Sequence, residues 1–169
     1  ARWGQIKNLH NDIGAELNKA TESIEEHNSI LEGVLTTVDF NIKHKLTDKN
    51  LRDMISHFSK YRLRNEDFKS PDLMGNAYEY LIKYFADSAG KKGGEFYTPA
   101  EVVRLMVQLV KPEVGNEIYD PTVGSGGFLI QAHSYMEERG ENANDLALYG
   151  QDSNGTVWAI SNMNMILHN

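Results

Sequence analysis

One nine-residue stretch constrains this chain more than any other: Asp120-Pro121-Thr122-Val123-Gly124-Ser125-Gly126-Gly127-Phe128. It ends the short run Glu117-Ile118-Tyr119-Asp120, which reads as a strand, and it opens helical spacing from about Gly127 to Arg139, capped by Gly140. Strand, glycine loop and helix in that order make the half-unit of a nucleotide-binding α/β sheet. Positions without a side chain let a ligand approach the backbone, and amides at the start of the next helix face an anionic group. A second strand over Leu146 to Gly150 and a second helix over Asn154 to Leu167 extend the pattern to two right-handed crossover units of a parallel sheet.

The loop itself discriminates among ligands. It lacks the Gly-Lys-Ser/Thr of a lysine-bearing phosphate loop, and Phe128 and Leu129 stand where a dinucleotide loop of G-x-G-x-x-G type continues to its third glycine. No Lys or Arg lies between Asp120 and Gln131, which serves a pyrophosphate poorly. It suits S-adenosylmethionine, with one carboxylate, one ammonium and one sulfonium. Asp120 at the strand end is placed to pair with the ammonium, and the amides around Ser125, Gly126 and Gly127 to receive the carboxylate or cradle the adenosine. Asp152 closes the second strand after Gly150-Gln151. Alone it reads as a turn or N-cap residue ahead of Asn154; paired with the loop it reads as an acceptor for the ribose hydroxyls.

Upstream, Glu95-Phe96-Tyr97-Thr98-Pro99-Ala100-Glu101 brings two aromatics to a helix start. Thr98 as N-cap, Pro99 at the first helical position and Glu101 three residues after the cap form a capping box, opening a helix that runs to about Val110. Its side chains are apolar on nearly every side, as suits a helix packed on a sheet. Phe96 and Thr98 have a bland reading as staple and cap. In the functional one the turn folds over the ligand, with an aromatic face near the sulfonium or adenine, an interaction of about 0.5–2 kcal/mol.

The first half is helical. Apolar residues from Trp3 to Val38 recur mostly at intervals of three or four or sums of these, predicting an amphipathic helix broken near Gly33; Asp48 caps a second helix bearing Leu51, Met54, Ile55, Phe58 and Tyr61; and after Ser70-Pro71 a third runs from Leu73 to Ala89, ended by Gly90. The shift at Gly90-Lys91-Lys92-Gly93-Gly94 predicts a helical region over 1–92 and an α/β region over 93–169. A net charge of −7 argues against a self-sufficient DNA-binding module, so DNA contact requires local patches or a partner subunit. The densest basic positions are Arg62, Arg64, Lys91 and Lys92, for which a solvated face is the ordinary reading. With no cysteine there is no disulfide framework or thiolate metal site, and no apolar run has signal or membrane length, so a cytoplasmic protein is expected. The start on Ala1-Arg2-Trp3 and the close on Leu167-His168-Asn169 read as a piece of a longer protein.

Three segments in this order, Gly93-Gly94-Glu95-Phe96-Tyr97-Thr98-Pro99, Asp120 to Leu129, and Gly150-Gln151-Asp152, resemble the modification subunit of type I restriction-modification systems. Leu73 to Leu81 and Leu31 to Leu35 look like its helical N-terminal part. The resemblance implies an α/β fold: a helical N-terminal domain, then the first part of a Rossmann-like S-adenosylmethionine-dependent methyltransferase domain with a parallel sheet. It implies methylation of the exocyclic amine of adenine in DNA after base flipping. It carries Glu95, Phe96, Tyr97, Thr98, Pro99, Ala100, Ser125, Gly126, Gly127 and Asp152 over as cofactor contacts. It implies DNA, a specificity subunit, a restriction subunit and a second methyltransferase subunit as partners, and no membrane or metal. Ala100 departs from the basic residue many members carry. The family's catalytic Asn-Pro-Pro-aromatic motif is absent, for Pro71, Pro99, Pro112 and Pro121 are all isolated. The chain alone is therefore expected to bind cofactor at most. A helical interaction module with a structural glycine loop and a nicotinamide-binding enzyme are the competing readings.

Overall fold

The computed structural model describes residues 2–67 and 73–168, which divide into two compact units, Ala1–Lys69 and Ser70–Asn169. The division precedes the boundary expected near Gly93, because the helix over Leu73–Ala89 packs on the helix over Gly155–Leu167 within the second unit. The Ser70-Pro71 break lies outside the described residues.

In the first unit, α1 (Trp3–Ile6), α2 (Ile13–Glu26) and α3 (Asp48–Phe58) enclose a core of Ile13, Leu17, Leu51 and Ile55. The single amphipathic helix expected over Trp3 to Val38 is broken earlier than Gly33. Asp12 takes a left-handed φ of 50°, and α2 ends at His27. The apolar spacing continues across the break because Ile6 and Leu9 pack onto the same core from the turn. Thr47, not Asp48, caps α3, accepting the Asn50 amide at 3.2 Å; Asp48 instead accepts the Ile13 amide at 3.2 Å and ties the starts of α2 and α3 together. Glu25 gathers the segment after α2, its carboxylate accepting from the amides of Gly33, Leu35 and Thr36 and from the Thr36 hydroxyl.

In the second unit, α4 (Leu73–Ala89) ends at Gly90 with a φ of 59°, as the C-cap reading expects. The glycines that follow do not form an open linker. Residues Gly90–Glu95 make a 3-10 turn, and Gly93 sits so close to the Ala86 carbonyl that no side chain fits there. Then come α5 (Ala100–Val110), β1 (Glu117–Asp120), α6 (Gly127–Glu138), β2 (Ala147–Gly150) and α7 (Gly155–Leu167). The strands are parallel, with Glu117 opposite Ala147 and Asp120 opposite Gly150. One crossover, β1–α6–β2, is closed by two strands; among the described residues no third strand follows α7.

The core of this unit joins Val103 and Val107 of α5 to Ala132 and Met136 of α6, with Ile118 and Leu148 of the sheet against it. Met136 is fully buried, a contribution of about 1.5–3 kcal/mol. Alternation turns the paired Tyr119 and Tyr149 to the other, exposed face. Val103 and Val107 of α5 are buried while Val102, Leu105, Met106, Leu109 and Val110 are exposed, so the helix is covered along one stripe although its apolar residues lie on nearly every side. No helix among the described residues is long and apolar enough to cross a membrane.

Candidate functional site

The C-terminal ends of the two strands are stitched together beyond the sheet. The Gln151 amide donates to the Asp120 carbonyl at 2.9 Å, and the Val123 amide to the Gln151 carbonyl at 2.8 Å. Gly150 makes this closure possible, since a side chain there would meet the Val123 methyl at 2.7 Å. The loop then turns through Gly124 and Gly126, at φ of 55° and 86°, a region that favours glycine. Helix α6 begins after Gly126 without a side-chain cap, so the first-turn amides have no cap acceptor.

The Phe-Tyr-Thr-Pro turn lies directly on this loop. The Ser125 amide donates to the Phe96 carbonyl at 2.9 Å, and Gly124 is so near that a Cβ would stand 2.9 Å from the same oxygen. Two segments almost thirty residues apart in sequence are thus one structural feature, flanking a cleft of about 780 Å³. Of the residues singled out from sequence, Glu95, Phe96, Tyr97, Thr98, Ala100, Asp120, Ser125 and Gly127 line it; Pro99, Gly126 and Asp152 do not.

Those three have other work. The Pro99 carbonyl accepts the Val102 and Val103 amides and is itself the N-cap of α5. The capping box expected at Thr98 is therefore not formed, and Thr98 stays exposed on the cleft wall. Gly126 backs onto α7, where an added Cβ would meet the Ser161 hydroxyl at 3.0 Å. Asp152 accepts the Gly124 amide through Oδ2 at 3.2 Å and the Asn154 amide through Oδ1 at 2.9 Å, while Asn154 caps α7 by accepting from Thr156 and Val157. Asp120 accepts the Thr122 amide at 3.0 Å, fixing the start of the loop.

Sequence reasoning missed the wall supplied by α4 and α7. Asn76 and Glu79 of α4, Asn164 of α7 and His168 at its C-terminal cap line the cleft. Asn164 is 1% exposed; its Nδ2 donates to the Ser125 carbonyl at 2.9 Å, and its Oδ1 is buried without a partner. The His168 ring lies 2.9 Å through Nδ1 from the Asn164 carbonyl, which requires a proton on Nδ1, and Nε2 is 4.0 Å from Glu79. Gly75 makes room for the ring, since a Cβ there would stand 2.7 Å from it. The signal was present: Ser161, Asn164 and His168 recur at three and four residues, putting polar side chains on one stripe of a largely apolar helix.

The basic positions read as candidate DNA contacts fare differently. Arg62 pairs with Asp67 and Glu66, and Arg64 lies 3.8 Å from Glu66. The guanidinium of Arg62, with the Arg64 amide, holds the Asp67 carboxyl below its usual value. The side chains of Lys91 and Lys92 lie outside what is described. No group of three or more His, Cys, Asp or Glu is placed to hold a metal ion among the described residues.

A parallel crossover with a glycine loop at the strand ends, folded against a cleft, defines the start of a Rossmann-like α/β unit, and comparison with known proteins identifies which kind. The chain belongs to the N-6 DNA methylase family, whose model matches residues 69–169, and residues 1–58 match the HsdM N-terminal domain. It is 32% identical to the type I restriction enzyme HindI methylase subunit of Haemophilus influenzae, over 99% of this chain and 42% of the relative. It is likewise 32% identical to the MjaIX methylase subunit of Methanocaldococcus jannaschii, over 98% of this chain and 30% of the relative. Among solved structures, the type I restriction-modification methyltransferase subunit from Streptococcus thermophilus superposes with a TM-score of 0.73 at 27% identity, covering 91% of this chain and 33% of that one. The chain thus spans less than half the length of these relatives.

Proposed function

We propose that this chain carries the cofactor-binding part of a type I methyltransferase subunit that methylates the exocyclic amine of adenine in DNA, with S-adenosylmethionine as methyl donor. The observation that carries the reading is the hydrogen bond from the Ser125 amide to the Phe96 carbonyl, which joins the aromatic turn and the glycine loop into one binding edge.

The donor set fits the ligand. Gly127 and Phe128 of the uncapped first turn of α6 line the cleft, suiting a carboxylate. The carboxylates of Glu79, Glu95 and Asp120 line it too, against Lys83 as the one Lys or Arg among the described lining residues, which favours a cationic ligand over a pyrophosphate. In this reading Asp120 accepts from the ammonium, Tyr97 and Phe96 shelter the sulfonium, and Thr98 offers a hydroxyl. Asp152, behind the lining, serves the site by holding the Gly124 amide. Bound S-adenosylmethionine supplies an electrophilic methyl group on sulfur; the chain's residues orient it and exclude water.

These 169 residues hold no Asn-Pro-Pro-aromatic sequence, so the chain binds cofactor without methylating DNA. In the whole protein the partners are DNA, the specificity subunit, the restriction subunit and a second methyltransferase subunit, in the cytoplasm. The domain reading follows as a helical region ahead of the cofactor-binding region. Titration calorimetry tests the core of this: heat with S-adenosylmethionine, none with NAD, and loss of the signal in Asp120→Ala. A folded sample that binds NAD, or neither compound, sinks the reading.

A further inference from the structure

We infer that Asn164 is the positioning residue of the glycine loop, its side-chain amide fixing the Ser125 carbonyl and, through it, the direction in which the loop amides are offered to the ligand. The inference rests on the cofactor reading above and adds to it a residue from α7, far outside the loop in sequence.

The loop needs such a device. Gly124, Gly126 and Gly127 give it backbone freedom that other residues lack, and an unrestrained glycine loop presents its amides in many directions. Beside the turn bond from the Gly126 amide to the Val123 carbonyl, three contacts from outside the loop remove that freedom. Asp152 holds the Gly124 amide, the Phe96 carbonyl holds the Ser125 amide, and Asn164 Nδ2 holds the Ser125 carbonyl at 2.9 Å. The peptide units before and after Ser125 are thus clamped from opposite sides, one by the aromatic turn and one by α7.

Stability alone does not explain an asparagine at this place. Its side chain is 1% exposed, and donating through Nδ2 fixes the amide so that Oδ1 is left buried with no partner. A buried orphan acceptor is destabilising, and an apolar residue of similar volume avoids it. What the asparagine has that an apolar residue lacks is the donor. The main-chain carbonyl of Asn164 also receives the His168 ring, which packs on Gly75, so the clamp is braced against α4.

The test uses the whole chain and two variants. Asn164→Leu keeps the branching and the number of side-chain heavy atoms and removes the donor. Asn164→Asp keeps the shape and donates only while protonated, and a carboxyl this buried beside a carbonyl holds its proton well above its usual range. S-adenosylmethionine affinity is measured at about pH 5.5 and about pH 8, values bracketing such a raised carboxyl, with wild type at both to correct for His168 and Glu79. Hydrogen exchange of residues 124–128 is followed without ligand. The expected result is binding weakened roughly tenfold or more in Asn164→Leu with faster loop exchange, and an Asn164→Asp variant that is near wild type in acid and weak at alkaline pH, as a loop amide turned away from the ligand carboxylate implies. Wild-type affinity and exchange in Asn164→Leu overturn the inference, as does an Asn164→Asp variant whose affinity and exchange track wild type at both pH values. If Asn164→Leu does not fold, Asn164→Asp decides alone. Absence of binding by wild type overturns the cofactor reading instead, and loop exchange in the variants still decides the positioning role.

Discussion

The Asp152 carboxylate, at the end of β2, accepts the amide of Gly124 from the loop after β1, with 3.2 Å between Oδ2 and nitrogen. Gly124 is buried, so removing the acceptor strips a sheltered amide of its side-chain partner. Asp152→Ala is expected to cost about 1–3 kcal/mol, the desolvation of an orphaned polar group. Asp152→Asn, which keeps one oxygen acceptor for Gly124 and turns its NH2 to the exposed Asn154 amide, is expected to cost less than Asp152→Ala. Urea denaturation followed by circular dichroism separates them. Equal stability of wild type and Asp152→Ala refutes the anchoring role.

Gly124 itself is the most constrained glycine of the loop. Its φ of 55° and its approach to the Phe96 carbonyl act together, so Gly124→Ala meets both backbone strain and a contact of 2.9 Å. A loss of about 2 kcal/mol or more is expected, with the aromatic turn detached. Protease sensitivity near Phe96 reads the detachment. Gly155→Ala is the control: nothing lies within 4 Å of an added Cβ at the first residue of α7, and a gain of about 0.4–1 kcal/mol is expected. A Gly124→Ala chain as stable as wild type argues that the turn and loop are not in contact.

The elements around that contact were legible because their cues are local. Strand β1 from Glu117, helix α5 to Val110, the α4 stop at Gly90 and the loop between β1 and α6 all follow from short patterns. What failed depends on contacts between distant residues. The glycines after Ala89 looked like a linker, yet Gly93 is small because Ala86 is against it. The break at Asp12 left no trace in the apolar spacing because residues on both sides serve one core. Asp48 resembled a cap, but its partner is Ile13, 35 residues away. Asn164 carries no motif, and its role exists only through Ser125, 39 residues before it.

Glu25 gives the first unit a predictable response to acid. Burial pushes its carboxyl up, but the hydrogen bonds from Thr36, Gly33 and Leu35 together outweigh that and hold it below its ordinary value of 4.5. The folded value is depressed, so the stabilisation is complete above the unfolded value and is lost as pH falls through the folded one. Melting temperature is therefore expected to fall below about pH 4.5, and hydrogen exchange of residues 33–36 to rise there. Glu25→Gln, which cannot titrate, should flatten that part of the profile. A variant with the wild-type acid profile removes Glu25 as the cause.

Thr98 offers the sharpest choice between a structural and a ligand role. As the N-cap expected from sequence, its hydroxyl would be worth about 1 kcal/mol to α5, and Thr98→Val would lower stability by that amount with cofactor affinity untouched. The helix is instead capped by Pro99 with no side-chain bond, and Thr98 lies exposed on the cleft wall. Thr98→Val is thus expected to change stability by less than about 0.5 kcal/mol. It should weaken S-adenosylmethionine binding roughly three- to tenfold, the value of one neutral hydrogen bond. Denaturation and calorimetry on the same variant read both quantities. A stability loss with unchanged affinity returns Thr98 to the cap role and takes the hydroxyl out of the proposed site.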